Sequence, residues 1–326
     1  MRKPASLQKG DTIAVVAPSF GIVEEEHAIL AQAIKNLEKK GYHVDVLENV
    51  FKSDGLGIST SPESCAQELM EAYVNPQYQA IISASGGELM CETLSRMDFV
   101  QLKNASPKWF CGFSDNTNMT FTLNTLCDVM SIYGPHILDF ALMNKCTREA
   151  LGIMQGTCHH TSDYPYYSLD DFAKKPKVIT AYHHGKKVDH VQMKGILLGG
   201  CLDVLANLVG TRFDQVKEKD EHHVIWFLEA CDLNPLGIRR ALWQLKEAGW
   251  FKHISGLMLG RPLSSMGVTM LGVDEYNAVL DIFQDLDIPI LFDCDFGHIG
   301  PTMPIISGAN AKVTYEDRLK IEYYYK

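Results

Sequence analysis

Hydrophobic and polar positions along this chain fall into short runs of two kinds, and the two kinds alternate. Thr12-Ile-Ala-Val-Val-Ala17 is a continuous apolar run closed by Pro18-Ser19, the pattern of a strand buried on both faces. From Glu24 to Lys40 the spacing predicts a helix with Ala28, Ala31, Ile34 and Leu37 on one face, stopped by Gly41. His43 to Leu47 alternates as a strand, and Ser61-Pro62-Glu63 opens a second helix with a cap and a proline in its first turn. Gln79 to Ser83 reads as a third strand, with Ala84-Ser-Gly86-Gly87 at its carboxyl end and a helix through Leu94. Trp109 to Phe113 reads as a fourth strand and Val129 to Tyr133 as a fifth. Strands that alternate with helices predict a parallel sheet covered by helices, with ligands at the carboxyl ends of the strands.

The pattern changes between 156 and 194. Here His159-His-Thr-Ser-Asp-Tyr164-Pro-Tyr-Tyr167, Asp170-Asp171 and Lys174-Lys-Pro are polar, aromatic and proline-containing. We read this stretch as a connection, which divides the chain into a domain at 1–155, the connection at 156–194 and a second domain at 195–326. Its tyrosines line a cleft or pack on a neighbouring domain. The second domain starts with Gly195-Ile-Leu-Leu-Gly-Gly200 and a helix from Cys201 to Val209. Val224-Ile-Trp-Phe-Leu228 is an apolar strand ending in Glu229, and helices at 236–247 and 274–284 alternate with strands at 257–259 and 289–292. The residues from Lys312 onward alternate around Glu316-Asp317 as a hairpin.

Composition narrows the function classes. With 46% hydrophobic and 21% charged residues the chain has an ordinary globular balance, and its net charge of -10 without a Lys/Arg cluster argues against a nucleic-acid partner. No apolar run precedes Asp11, so the start does not read as a secretory signal, and no stretch reaches the ~18 apolar residues of a membrane span. The nine cysteines are scattered and mostly lie inside apolar runs, the usage of a reduced, cytoplasmic protein. There is no Cys-x-x-Cys pair, and the histidine pairs at 159–160, 183–184 and 222–223 are adjacent and so do not share a helix face; no metal site is expected. Neither a Gly-x-Gly-x-x-Gly nor a Walker pattern occurs, so no nucleotide cofactor is expected.

The most informative stretch is Lys108-Trp-Phe-Cys-Gly-Phe-Ser114-Asp115-Asn-Thr-Asn-Met-Thr-Phe121. The strand at 109–113 gives way to a helix with Met119, Leu123, Leu126 and Cys127 at helical spacing, so Ser114 sits on a strand-to-helix turn. Such a turn exposes the hydroxyl above the carboxyl edge of the sheet, beside the unpaired N–H groups of the helix start. The plainer reading is that Ser114 or Asp115 caps the helix. The paired glycines at 86 and 87 would lie on the same edge, where backbone without side chains approaches a ligand closely, or else form a flexible turn. A serine needs a base to remove its proton, and the base needs an acid to orient it. One candidate for each role stands at a strand end or in a loop after a strand: Ser114, His298 in Asp295-Phe-Gly-His298-Ile-Gly300-Pro301, and Glu229.

Four segments carry a family resemblance: Gly112-Phe-Ser114-Asp115-Asn-Thr, Leu198-Gly-Gly-Cys-Leu-Asp-Val-Leu-Ala-Asn-Leu-Val-Gly-Thr211, Trp226-Phe-Leu-Glu229 and Asp295-Phe-Gly-His298. In this order they resemble the landmark segments of the LD-carboxypeptidase family of serine peptidases, which also contains the microcin C immunity hydrolases. The resemblance implies an α/β chain with a flavodoxin-like parallel-sheet amino-terminal domain and a smaller mixed α/β carboxyl-terminal domain, as a cytoplasmic homodimer. It implies Ser114 as nucleophile, His298 as general base and Glu229 as its orienter. The N–H groups of Asp115 and of the Gly86-Gly87 turn would form the oxyanion hole. The implied substrate is a small peptide, a muramoyl tetrapeptide losing its terminal D-alanine in peptidoglycan recycling, or alternatively a peptidyl or aminoacyl nucleotide. A non-catalytic binding module that kept the cleft is the alternative of another class. Two features depart from the peptidoglycan-recycling members: Ser85 stands where they typically carry an arginine, and the 156–194 stretch is longer, as in the microcin-immunity branch.

Overall fold

The computed structural model describes residues 1–168, 174–176, 178–216 and 223–324, so Asp170, Asp171 and His222 lie outside the described residues. The chain divides into two compact units, one comprising Met1–His159 with Pro304–Gly308 and the other His160–Met303 with Ala309–Lys326.

In the first unit, strands β1 (Thr12–Val16), β2 (His43–Val46), β3 (Tyr78–Ser83), β4 (Trp109–Gly112) and β5 (Ser131–Tyr133) form a parallel sheet in the order 2-1-3-4-5. This is the flavodoxin-like order, in which the chain switches direction between β1 and β3 and leaves a crevice at the carboxyl ends there. A short strand from the far end of the chain, Ile305–Ser307, extends the sheet antiparallel to β5. The helices are α1 (His27–Lys39), α2 (Pro62–Val74), α3 (Met90–Leu94), α4 (Phe99–Asn104), α5 (Thr117–Cys127) and α6 (Lys145–Gln155).

Two helices differ from their predicted faces. In α1 the buried residues are Leu30, Ala33 and Leu37, while Ala28 and Ala31 are exposed. The larger leucine at 30 places more apolar area in the core than an alanine one step away, and it sets the helix rotation. Helix α5 is buried nearly all round, including Thr117, Asn118, Thr120, Thr122 and Asn124. Several of its polar side chains bond to nearby backbone, as when Thr122 Oγ1 donates to the Asn118 carbonyl at 2.5 Å and Asn124 Nδ2 to the Val129 carbonyl at 2.7 Å, whereas Asn118 Oδ1 and Thr120 Oγ1 are buried without a hydrogen-bond partner among the described residues.

In the second unit, the described strands are β6 (His160–Ser162), β7 (Tyr166–Ser168), β8 (Lys174–Pro176), β9 (Thr180–His183), β10 (Lys186–Val188), β11 (Val191–Cys201), β12 (Val224–Glu229), β13 (Ile254–Gly260) and β14 (Ile290–Cys294), then, past β15 (Ile305–Ser307, already placed), β16 (Asn310–Tyr315) and β17 (Leu319–Tyr324). Nine of them form one sheet in the order 10-9-14-13-12-11-16-17-6. The middle strands β11 to β14 run parallel, and helices α7 (Leu202–Leu208), α8 (Pro235–Glu247) and α9 (Asn277–Phe283) follow β11, β12 and β13. The stretch read as a connection contributes β6, β9, β10 and the first residues of β11 to this sheet, while β7 and β8 pair as a separate ribbon. The second unit is therefore nearly as long as the first, where a smaller domain was expected. Strands β6 to β10 are only three or four residues long, too short for alternation to stand out, as is common at the edges of a sheet.

Candidate active site

Ser114 follows β4 through Phe113, whose backbone is extended, and has φ 61 before a 3-10 turn over Ser114–Asn116 leads into α5. A left-handed non-glycine residue costs on the order of 1–3 kcal/mol and persists only where the surroundings impose it. Those surroundings are visible. The Ser114 N–H donates to the Tyr133 hydroxyl at 3.3 Å, and Asn116 Nδ2 donates to the Ser85 carbonyl at 2.7 Å and the Phe113 carbonyl at 3.2 Å. His136 stacks on Phe113 with centroids 4.4 Å apart, and its Nε2 lies 3.3 Å from the Phe113 nitrogen.

The carboxylate of Asp115 is engaged by three separate segments. Its Oδ2 accepts from the Ser19 hydroxyl at 2.5 Å and the Met90 N–H at 2.8 Å, and its Oδ1 accepts from Asn118 Nδ2 at 2.9 Å. Burial raises the pKa of Asp115, and these hydrogen bonds oppose the rise. The side chain thus ties the loop after β1, the start of α3 and the start of α5 together, while the N-cap position of α5 is Asn116.

Gly86 and Gly87 lie against this turn. A Cβ at Gly86 would stand 3.0 Å from Ser114 Cβ and 3.2 Å from Ser114 Oγ, so the backbone at 86 borders the hydroxyl itself. Gly87 has φ 153, and a Cβ there would overlap the Ser19 hydroxyl, so both its conformation and its space require glycine.

In the second unit, Glu229 ends β12 with its side chain fully buried, and its Oε2 lies 2.8 Å from Nδ1 of His298, whose side chain is 14% exposed. Glycines make room for the pair. A Cβ at Gly260 would stand 2.9 Å from Glu229 Cβ, and one at Gly297, where φ is 100, would stand 2.7 Å from Glu229 Oε2. Burial lowers the pKa of His298, but hydrogen bonds that the ring makes to the Cys231 and Glu229 side chains outweigh it and push the imidazole up to about 10. Cys231 sits in a loop held by one acid: Asp203 accepts from the N–H groups of Cys231 at 3.0 Å, Asp232 at 2.9 Å and Leu233 at 3.1 Å.

The structure therefore places Ser114, Asp115, Gly86 and Gly87 together in the first unit, and Glu229 with His298 in the second. Sequence reasoning missed Tyr133 and His136 behind the serine turn, and Asp203 and Cys231 beside the histidine. Asp203 lies two residues past the end of β11, inside the stretch expected to be a helix from Cys201, and Cys231 lies two residues past Glu229 at the end of β12. Among the described residues, the one grouping of His, Cys, Asp and Glu with converging ligand atoms is His183, His184 and Asp287. No helix among them is long and apolar enough to cross a membrane.

Residues 13–134 match the family model of the LD-carboxypeptidase N-terminal domain, and residues 194–313 match that of the LD-carboxypeptidase C-terminal domain. A Bacillus subtilis protein named "Probable murein peptide carboxypeptidase" is 24% identical, over 98% of this chain and 93% of its own length. The crystal structure of muramoyltetrapeptide carboxypeptidase from Oxalobacter formigenes has 25% sequence identity and a TM-score of 0.73, with 96% of this chain and 98% of that one covered. The microcin C7 self-immunity protein in complex with aspartyl sulfamoyl adenosine shares the fold at a TM-score of 0.80 and 19% identity, with 99% of this chain and 98% of that one covered. Full-length likeness and both domain models agree with the geometry above: this chain belongs to the LD-carboxypeptidase family.

Proposed function

We propose that the protein is a serine hydrolase that cleaves an amide bond next to a free carboxylate, with Ser114 as nucleophile, His298 as general base and Glu229 as its orienter. The observation that carries this reading is the Glu229–His298 pair. A fully buried carboxylate 2.8 Å from Nδ1 fixes the ring and stabilises the imidazolium, leaving Nε2 as the nitrogen that takes and returns the proton. The left-handed turn at Ser114 supports the second half of the reading, because a strained strand-to-helix turn is how α/β hydrolases present a nucleophilic hydroxyl.

In this mechanism Ser114 Oγ attacks the amide carbon as its proton passes to His298. The N–H groups of Asp115 and of the Gly86-Gly87 turn donate to the oxyanion, a contribution of about 3–4 kcal/mol per donor in comparable sites. Collapse transfers the proton to the departing amine, which for a muramoyl tetrapeptide is the amino group of the terminal D-alanine. Water, deprotonated by His298, then attacks the acyl-enzyme and releases the shortened peptide acid.

A second reading shares the chemistry and changes the substrate to an aminoacyl nucleotide. It is favoured by the ribbon of β7 and β8, which adds Tyr166 and Tyr167 to a segment longer than peptidoglycan-recycling members carry, and by the ligand of the microcin immunity protein. An aromatic ring there would stack on a base. The deciding experiment assays muramoyl tetrapeptide and an aminoacyl sulfamoyl adenosine side by side, with Ser114→Ala as control. Release of D-alanine by the unmodified chain alone supports the carboxypeptidase reading, and turnover of the nucleotide alone supports the second. Equal activity in Ser114→Ala would rule out both.

A further inference from the structure

We infer that the hairpin joining β9 and β10 carries a surface site for a divalent first-row transition metal, with His183, His184 and Asp287 as ligands. The site goes beyond the hydrolase reading and shares no residue with it.

Adjacent histidines cannot share a helix face, but they can converge on a hairpin whose turn reverses the chain between them and the next strand. His183 pairs with Lys186 across the ladder, so His184-Gly185 is a two-residue loop. Both loop residues have positive φ, 50 at His184 and 67 at Gly185, which is the type I′ turn that suits the twist of the strands. That turn folds the His184 ring back onto His183, with centroids 4.5 Å apart and planes 19° from parallel. β9 also pairs antiparallel with β14, which brings Asp287, three residues before β14, beside the end of β9.

The result is a convergent donor set. The Nε2 atoms of His183 and His184 lie 2.8 Å and 3.0 Å from the same atom, Oδ1 of Asp287, and the three ligand atoms all fall within 4.8 Å of one another. Metal–nitrogen and metal–oxygen bonds of about 2.0–2.2 Å in a tetrahedral site put ligand atoms about 3.3–3.5 Å apart. An ion entering here needs to widen the two nitrogen–oxygen separations by only about half an ångström, on side chains that are largely exposed. Two imidazole nitrogens and one carboxylate suit zinc, copper, nickel or cobalt over magnesium or calcium, which take all-oxygen shells. The side chains are 42%, 64% and 70% exposed, so solvent completes the shell, and Lys186 and Lys187 on the neighbouring strand weaken the site by repulsion. Both considerations place it at micromolar affinity, as a solvent-open site and not a closed structural one.

The cluster stands at the amino-terminal edge of the parallel strands, whereas Glu229 ends β12 and His298 follows the carboxyl end of β14. Metal binding is therefore readable without reference to catalysis. The test uses the full chain, free of any affinity tag and stripped of metal. Zinc is titrated by calorimetry and cobalt by visible absorption, in the unmodified protein and in His183→Ala and Asp287→Ala. The expected result is one saturable zinc per chain with a dissociation constant on the order of 1–10 µM, visible bands with cobalt, and affinity at least about tenfold weaker in both variants. Absence of saturable binding below about 1 mM, or equal affinity in the three proteins, would overturn the inference. Hydrolysis assayed in parallel is expected to be the same in all three proteins, and its failure would count against the hydrolase reading alone.

Discussion

Replacing Glu229 with glutamine tests the local electrostatics of the second unit directly. The buried carboxylate 2.8 Å from Nδ1, together with the Cys231 side chain, holds the His298 imidazole at about 10 against an ordinary 6.5, in spite of burial that pulls the other way. That gap is worth roughly 5 kcal/mol at 1.36 kcal/mol per pH unit, an order-of-magnitude figure for the preference of this pocket for the imidazolium. Glu229→Gln keeps the shape and removes the charge, so the burial that opposes protonation is left with less to oppose it, and the pKa falls. Cys231→Ala shifts it in the same direction. Histidine ring signals followed by NMR against pH, assigned with His298→Ala, measure both shifts. The same change has a sign in stability. A group whose folded pKa is raised stabilises the fold fully below its unfolded value, near 6.5, and loses that contribution as pH climbs to about 10. The urea midpoint of the unmodified protein, taken relative to that of Glu229→Gln, should therefore fall across this window. In catalysis the neutral ring is the base, so kcat/KM should rise with pH well beyond the usual histidine range. A wild-type His298 that titrates at or below 6.5, or at the same pH in Glu229→Gln, would refute the reasoning.

Ser114→Ala and His298→Ala should each lower turnover by about 10⁴ to 10⁶, with the double variant scarcely worse, since triad members act as a unit; losses that multiply in a kinetic assay would count against a shared mechanism. EDTA should leave hydrolysis unchanged, because the proposed step uses a serine and a histidine, and activity lost to chelation and restored by zinc would contradict it. Gly86→Ala should reduce kcat by about a hundredfold with little change in thermal unfolding, because the new methyl crowds Ser114 Oγ, and small displacements at a reacting atom are costly. Arg261 and Asp295 form a fully buried pair at 2.6 Å, and Asp295→Ala should destabilise by about 3–5 kcal/mol in urea by leaving a buried guanidinium charge without its counter-ion. The double variant Arg261→Met with Asp295→Leu should recover much of that loss.

Periodicity sufficed for the five parallel strands of the first unit, because a parallel sheet covered on both faces writes strands as apolar runs such as Ile13 to Val16 and Trp109 to Cys111, but it gave no sign of the helices Phe99–Asn104 and Lys145–Gln155 or of the strand Ile305–Ser307. The turn at Ser114 was legible for the same reason: the apolar run ends at a glycine and the helical spacing begins four residues later. Glu229 and His298 were named from strand ends and a glycine-rich loop, but residue types alone did not pair them. Their hydrogen bond depends on β12 and β14 lying on either side of β13, a sheet order that side-chain patterning does not encode. The same holds for Asp203, which reaches three N–H groups about thirty residues away. The strands of 160–188 escaped because each is only three or four residues long, too short for alternation to stand out from a polar loop. The adjacent histidines at 183 and 184 were set aside on helix geometry, and it took a two-residue turn with positive φ at both positions to stack them and aim both at Asp287. Local pattern decides which residues face a core; long-range strand pairing decides which of the remaining ones meet.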